Sequence, residues 1–107
     1  MHAPLKLRET PGPADFRKLS VGGELDLGTA AQLRVAIGTL MGTGCRHLVV
    51  DLAETTFMDS SGLAALVWAA HRMHAAGGEL TVAHPTEQIR KVLEITGVGD
   101  LLLAPER

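Results

Sequence analysis

The sequence predicts an α/β fold on a mixed, mostly parallel sheet, and three observations predict it. Apolar and polar residues alternate over residues 5–10 and 16–21, with Pro11-Gly12-Pro13 between the two runs. Apolar residues recur at helical spacing in three later segments. Short strand-like runs, residues 47–52 and 79–83, separate those segments. A short turn joins strands antiparallel, whereas helical crossovers join them parallel. The expected architecture is therefore an N-terminal antiparallel hairpin continued by parallel strands, with helices packed mainly on one face.

Leu5 and Leu7 mark the buried face of the first strand, and Leu19 and Val21 that of the second. Gly22-Gly23 then signals a bulge or a close backbone approach. Thr29 followed three residues later by Gln32 has capping-box spacing. Behind it, Leu33, Ala36, Ile37, Leu40 and Met41 form an apolar stripe, which Gly42 and Gly44 close. The unbroken run Leu48-Val49-Val50 reads as a strand covered on both faces. The next helix runs from the Asp59-Ser60-Ser61-Gly62 segment to about Ala76, with Leu63, Leu66, Val67 and Ala70 on one face. Leu80 and Val82 define the next strand. His84-Pro85-Thr86 opens a helix whose face is Ile89, Val92, Leu93 and Thr96. Residues 101–103 are read as a last short strand or a cover over the core.

With 107 residues the chain is expected to form one domain, residues 1–107. Ten Lys and Arg against 12 Asp and Glu give a net charge of −2, which argues against a nucleic-acid binder relying on a basic face. The aromatic residues are Phe16, Phe57 and Trp68, too few for a base-stacking platform. The single Cys45 excludes an internal disulfide framework and suggests a reducing compartment. The longest apolar stretch, Leu63 to Ala70, is far short of the roughly 18–20 residues that span a bilayer. No signal peptide is visible, so no membrane insertion is expected and the expected location is cytoplasmic.

The informative segment is Asp59-Ser60-Ser61-Gly62-Leu63, where a loop becomes a helix. Free backbone N–H groups and the positive end of the helix dipole favour an anion there. Two hydroxyls beside a glycine leave room for a phosphoryl group. Local sequence alone also fits plain N-capping, since Asp and Ser are good caps.

Val49-Val50-Asp51-Leu52 followed by Phe57-Met58-Asp59-Ser60-Ser61-Gly62-Leu63 resembles the signature of the STAS domain, and within it the bacterial anti-sigma factor antagonists. Gly23-Glu24-Leu25-Asp26, Gly77-Gly78 and Val92-Leu93-Glu94-Ile95-Thr96-Gly97 agree in order and spacing. The resemblance extends from about Phe16 to Leu103. It implies partner switching. The unphosphorylated antagonist binds an anti-sigma factor that is also a serine kinase, and so frees a sigma factor. Phosphorylation weakens the complex, and a serine phosphatase restores the binding form. Carried over, Ser60 is the phosphoacceptor and Ser61 its less favoured neighbour, and Asp26 lies in a loop that contacts the kinase. The implied partner surface comprises Asp26, Asp59, Ser60, Ser61, Gly62, Ala64 and Trp68. Members often carry Gly soon after the Gly-Leu pair; this chain has Ala64-Ala65, which keeps the residues small. No cofactor or metal of its own is implied, because the kinase brings ATP and Mg²⁺. A monomer or weak dimer is expected.

Helical geometry sets Trp68 near Ser61, Ala65 and Arg72, away from Leu63, Leu66 and Ala70. It reads either as an interface anchor or as a cover over the core edge. His71 and His74 are three apart on one helix but lack an acidic or thiol partner nearby, so they read as surface or packing residues rather than metal ligands. Catalysis by Ser60 is disfavoured, because Met58 replaces the first Gly of a nucleophile elbow and no base is tied to the site. The remaining alternative is a STAS adaptor subunit of a lipid-transport ATPase complex, without a phospho-switch.

Overall fold

A computed structural model describes residues 3–103. The elements run β1 (Lys6–Pro11), β2 (Phe16–Leu25), α1 (Ala30–Gly42), β3 (His47–Asp51), β4 (Thr55–Met58), α2 (Ser60–Ala75), β5 (Glu79–Ala83), α3 (Glu87–Ile95) and α4 (Gly99–Leu102). The sheet order is β1-β2-β3-β5, with β4 paired to β2 off this path. β1 and β2 are antiparallel, and every other pairing is parallel. The α/β reading, the hairpin and the parallel remainder of the sheet all hold.

Alternation along the strands sorts the two faces of the sheet. Leu19, Val21, Leu48, Val50, Leu80 and Val82 are buried on one face, where α1 and α2 supply Leu33, Ile37, Leu66 and Met73 to the same core. The other face carries Arg8, Lys18, Ser20, Val49 and Thr81, half-buried or exposed. Val49 is therefore not covered as fully as the apolar run 48–50 suggested. On this open side Asp51, buried at the end of β3, takes the Ala53 N–H at 2.9 Å and pairs with Lys18 Nζ at 3.2 Å and His84 Nδ1 at 3.4 Å. Burial works to raise the Asp51 carboxyl; the Ala53 N–H, Lys18 and His84 outweigh it and hold the group below the usual carboxylate range.

Gly22-Gly23 marks a change of partner. Before it, Phe16–Ser20 of β2 pair with β3; beyond it, Gly23, Glu24 and Leu25 pair with β4, with a register shift between Gly23 and Glu24. The Thr55 hydroxyl donates to the Val21 carbonyl at 2.7 Å, and Gly23 N–H donates to the Glu54 carbonyl at 3.0 Å. Those bonds satisfy backbone groups that the shift removes from the ladder. β4 was absent from the sequence reading. It has four residues, with Thr55 and Met58 buried and Thr56 and Phe57 exposed, so it shows no alternation.

Three local expectations change. The Thr29–Gln32 capping box does not form: the Thr29 hydroxyl donates to the Glu24 carbonyl at 2.7 Å, and Gln32 Oε1 accepts from Leu5 N–H at 2.9 Å. The Asp26 carbonyl closes that end of α1 instead, accepting from Ala30 N–H at 2.8 Å. The buried face of α2 is Gly62, Ala65, Leu66, Ala69, Ala70 and Met73, with Leu63 and Val67 only half-buried. A seam of small residues lets α2 lie close to its neighbours, and the bulkier Leu63 and Val67 flank it. The segment 101–103 follows the second of its two readings, a cover over the core: α4 buries Leu102, and Leu103 makes one bridge to Val82. In α3, Ile89 and Leu93 are buried, whereas Thr96 lies beyond the helix and is exposed.

Candidate functional site

The candidate site lies at the end of the sheet where β2 and β4 finish and α1 and α2 begin. Asp59, the N-cap of α2, adopts an extended backbone, and its Oδ1 accepts from Ser61 N–H at 2.8 Å and Gly62 N–H at 3.1 Å. Two of the four unpaired N–H groups at the helix start are thereby satisfied. Ser60 is the first helical residue and is exposed; Ser61 is half-buried and Ala64 exposed. A protein can therefore reach the Ser60 hydroxyl.

Gly62 is buried at the point where α2 touches the sheet. A Cβ there would stand 2.5 Å from the Leu25 carbonyl oxygen, 2.7 Å from Leu25 Cγ and 3.0 Å from Met58 Cγ. The glycine is required for close packing of the helix start on β2 and β4, and not for any unusual backbone angle.

Asp26 is placed inward. It is 8% exposed; its Oδ1 accepts from Gly28 N–H at 2.9 Å and lies 3.2 Å from the Thr29 hydroxyl oxygen, while its own N–H donates to Thr29 Oγ1 at 2.9 Å. The carboxylate thus builds the β2–α1 loop, and the loop presents the next residue, Leu27, at 79% exposure. Phe57, in β4 opposite Glu24 of β2, is 43% exposed at the same end of the sheet. Sequence reasoning missed both as surface residues. Leu27 sits in no periodic run, and Phe57 lies in a strand without alternation.

Trp68 lies between the two helices. It is half-buried, packs against the core, and its ring centroid is 5.4 Å from the Arg34 guanidinium and 5.9 Å from that of Arg72. Ala65, expected beside it on the outside, is fully buried. Trp68 therefore covers the α1–α2 seam. Cys45 is buried just before β3, and burial pushes its thiol up. Among the described residues no cluster of three or more His, Cys, Asp or Glu is arranged to hold a metal ion, and no helix is long and apolar enough to cross a membrane.

The family described as "Mlab, STAS domain" matches residues 13–104. The chain belongs to the STAS domain family. Within this STAS family it is similar to the anti-sigma-B factor antagonist of Staphylococcus aureus (strain NCTC 8325 / PS 47), at 32% identity over 94 residues, covering 88% of this chain and 87% of that protein. The crystal structure of an anti-sigma factor antagonist from Mycobacterium paratuberculosis shares 26% identity with a TM-score of 0.78, covering 99% of this chain and 92% of that one. The Bacillus cell fate determinant SpoIIAA in its phosphorylated form has the same fold, with a TM-score of 0.73 at 24% identity, over 94% of this chain and 93% of that one. The STAS chain thus falls among the anti-sigma factor antagonists, a group that is regulatory rather than catalytic.

Proposed function

We propose that this protein binds an anti-sigma factor with serine kinase activity while Ser60 is unphosphorylated, so that a sigma factor is freed, and that phosphorylation of Ser60 ends the interaction. The observation that carries this reading is the exposed Ser60 hydroxyl at the start of α2, one residue after the Asp59 carboxylate. Exposed Leu27 and Phe57 at the same end of the sheet supply apolar contact area for a partner.

The physics of the switch has two parts. On the free protein a phosphate at Ser60 meets the positive end of the α2 dipole, so the modified form is well tolerated. Under a bound partner the same group must lose water beside Asp59. It adds about −1.5 to −2 charge, comparable with the whole net charge of −2. A penalty of roughly 3 kcal/mol weakens binding about a hundredfold. No change of fold is needed. A serine phosphatase then resets the protein.

The reading is tested by incubating the protein with the anti-sigma kinase of its own genome and MgATP and locating phosphate by mass spectrometry. Phosphate on Ser60 is the expected result. Phosphate found only elsewhere, or a stable complex with a transport ATPase and no phosphate at all, contradicts it and supports an adaptor role.

A further inference from the structure

We propose that the outer face of α1 and α2 is a docking surface for a carboxylate-bearing segment of the partner protein, gripped by Arg34 and Arg72, the two guanidinium groups drawn to the Trp68 ring. This deepens the partner-binding reading above and rests on it for the identity of the partner.

The charge distribution points there first. The chain has 12 Asp and Glu, yet the 13 residues of α1 and the 16 of α2 contain none. Their fixed charges are Arg34 and Arg72, both exposed. Neither guanidinium has a carboxylate partner among the described residues; Lys6, Arg8, Arg46 and Lys91 lack one as well, but only Arg34 and Arg72 are gathered on one aromatic ring. Two like charges drawn to one indole make a local positive spot on a protein whose net charge is negative.

Their shared attraction to the ring also prepares the two groups for binding. A guanidinium drawn toward a ring by cation–π attraction at 5.4 or 5.9 Å still has N–H groups free to form the paired hydrogen bonds that a carboxylate accepts. Holding the side chain in place beforehand reduces the entropy lost when a partner arrives. Around the ring the surface is small and apolar. Ala31 and Ala64 are exposed, and Val35 is 69% exposed on a helix face where a charged residue is the usual occupant. Such a surface admits close approach by another protein. Two fixed cations are too few to hold a nucleic acid by counterion release.

The test needs no kinase, so its failure is distinct from failure of the phospho-switch. The isotope-labelled protein is titrated with a hexaglutamate peptide at low salt, and the indole N–H of Trp68, the sole tryptophan, and the Arg34 and Arg72 side-chain N–H signals are followed by NMR. The expected result is a saturable shift of these three signals, weakened at least tenfold by 0.5 M salt and in the double variant Arg34→Gln/Arg72→Gln, with no shift from hexalysine. Arg34→Lys/Arg72→Lys, which keeps the charge but loses the fork, is expected to bind severalfold more weakly than the wild type. An absent or non-saturable shift, an equal affinity in the glutamine double variant, or tighter binding of a six-nucleotide DNA or of anionic vesicles than of the peptide would overturn the proposal.

Discussion

The backbone N–H of Asp59 donates to the Leu25 carbonyl over 3.2 Å, so the cap of α2 is fastened to the last residue of β2. One residue further on, Asp26 folds the β2–α1 loop around its own carboxylate. The two loops at this end of the sheet are therefore fixed to each other through Leu25. On such a frame the proposed phosphorylation of Ser60 changes charge without changing shape.

Gly62→Ala is expected to destabilise the protein even though alanine is the better helix former. The helix gain is about 1 kcal/mol. The added methyl group must displace the Leu25 backbone or the Leu25 and Met58 side chains, and overpacking of that kind costs about 1–3 kcal/mol or more when backbone has to move. Because the Leu25 backbone is in the way, the cost falls at the upper end of that range, and a net loss of about 2 kcal/mol in urea denaturation is predicted. An unchanged midpoint would show that α2 is free to lift off β2.

Asp59→Ala removes the acceptor of the Ser61 and Gly62 N–H groups. A loss of about 1 kcal/mol is expected, and Asp59→Asn should recover most of it, because the amide oxygen still caps. Thermal unfolding of the two variants checks this. Equal losses would mean that the charge and not the hydrogen bond matters.

Asp51 makes stability depend on acid. Its carboxyl is held below the usual range in the folded protein, so the stability it adds is complete above the unfolded-state value of about 3.9 and is lost as pH falls through the lower folded value. Asp51→Asn should cost about 1–2 kcal/mol at pH 7, given its exposed partners. The gap to the wild type should close as pH is lowered from about 5 towards 2. Denaturant unfolding across that range measures it, and a gap that widens in acid would reverse the sign of the account.

Much of this was legible in the sequence because it rests on period and punctuation. Alternation at Leu19 and Val21, helical spacing at Leu33, Ile37 and Leu40, and Gly22-Gly23 each marked the structure that forms. The helix start was legible from Asp59-Ser60-Ser61-Gly62, since Asp at the cap of a helix is a local pattern, and Asp59 does cap α2. What escaped depends on long-range contact. β4 is defined by its pairing with β2 and by Thr55 reaching Val21, not by any alternation of its own. Gln32 leaves its cap because Leu5, 27 positions away, offers an N–H. Ala65 is inside because α1 and the sheet close over α2, and alanine carries too weak a hydropathy signal to announce that. Asp26 looked like an exposed contact residue, and only the loop's own hydrogen bonds turn it inward.

The most direct test of the central claim compares affinities for the anti-sigma kinase before and after modification of one hydroxyl. Protein carrying phosphoserine at position 60 should bind about a hundredfold more weakly than the unmodified protein, with the same fold by circular dichroism and the same unfolding midpoint within a few degrees. Ser61→Ala should leave both affinities in place. Equal binding by the two forms would contradict the account.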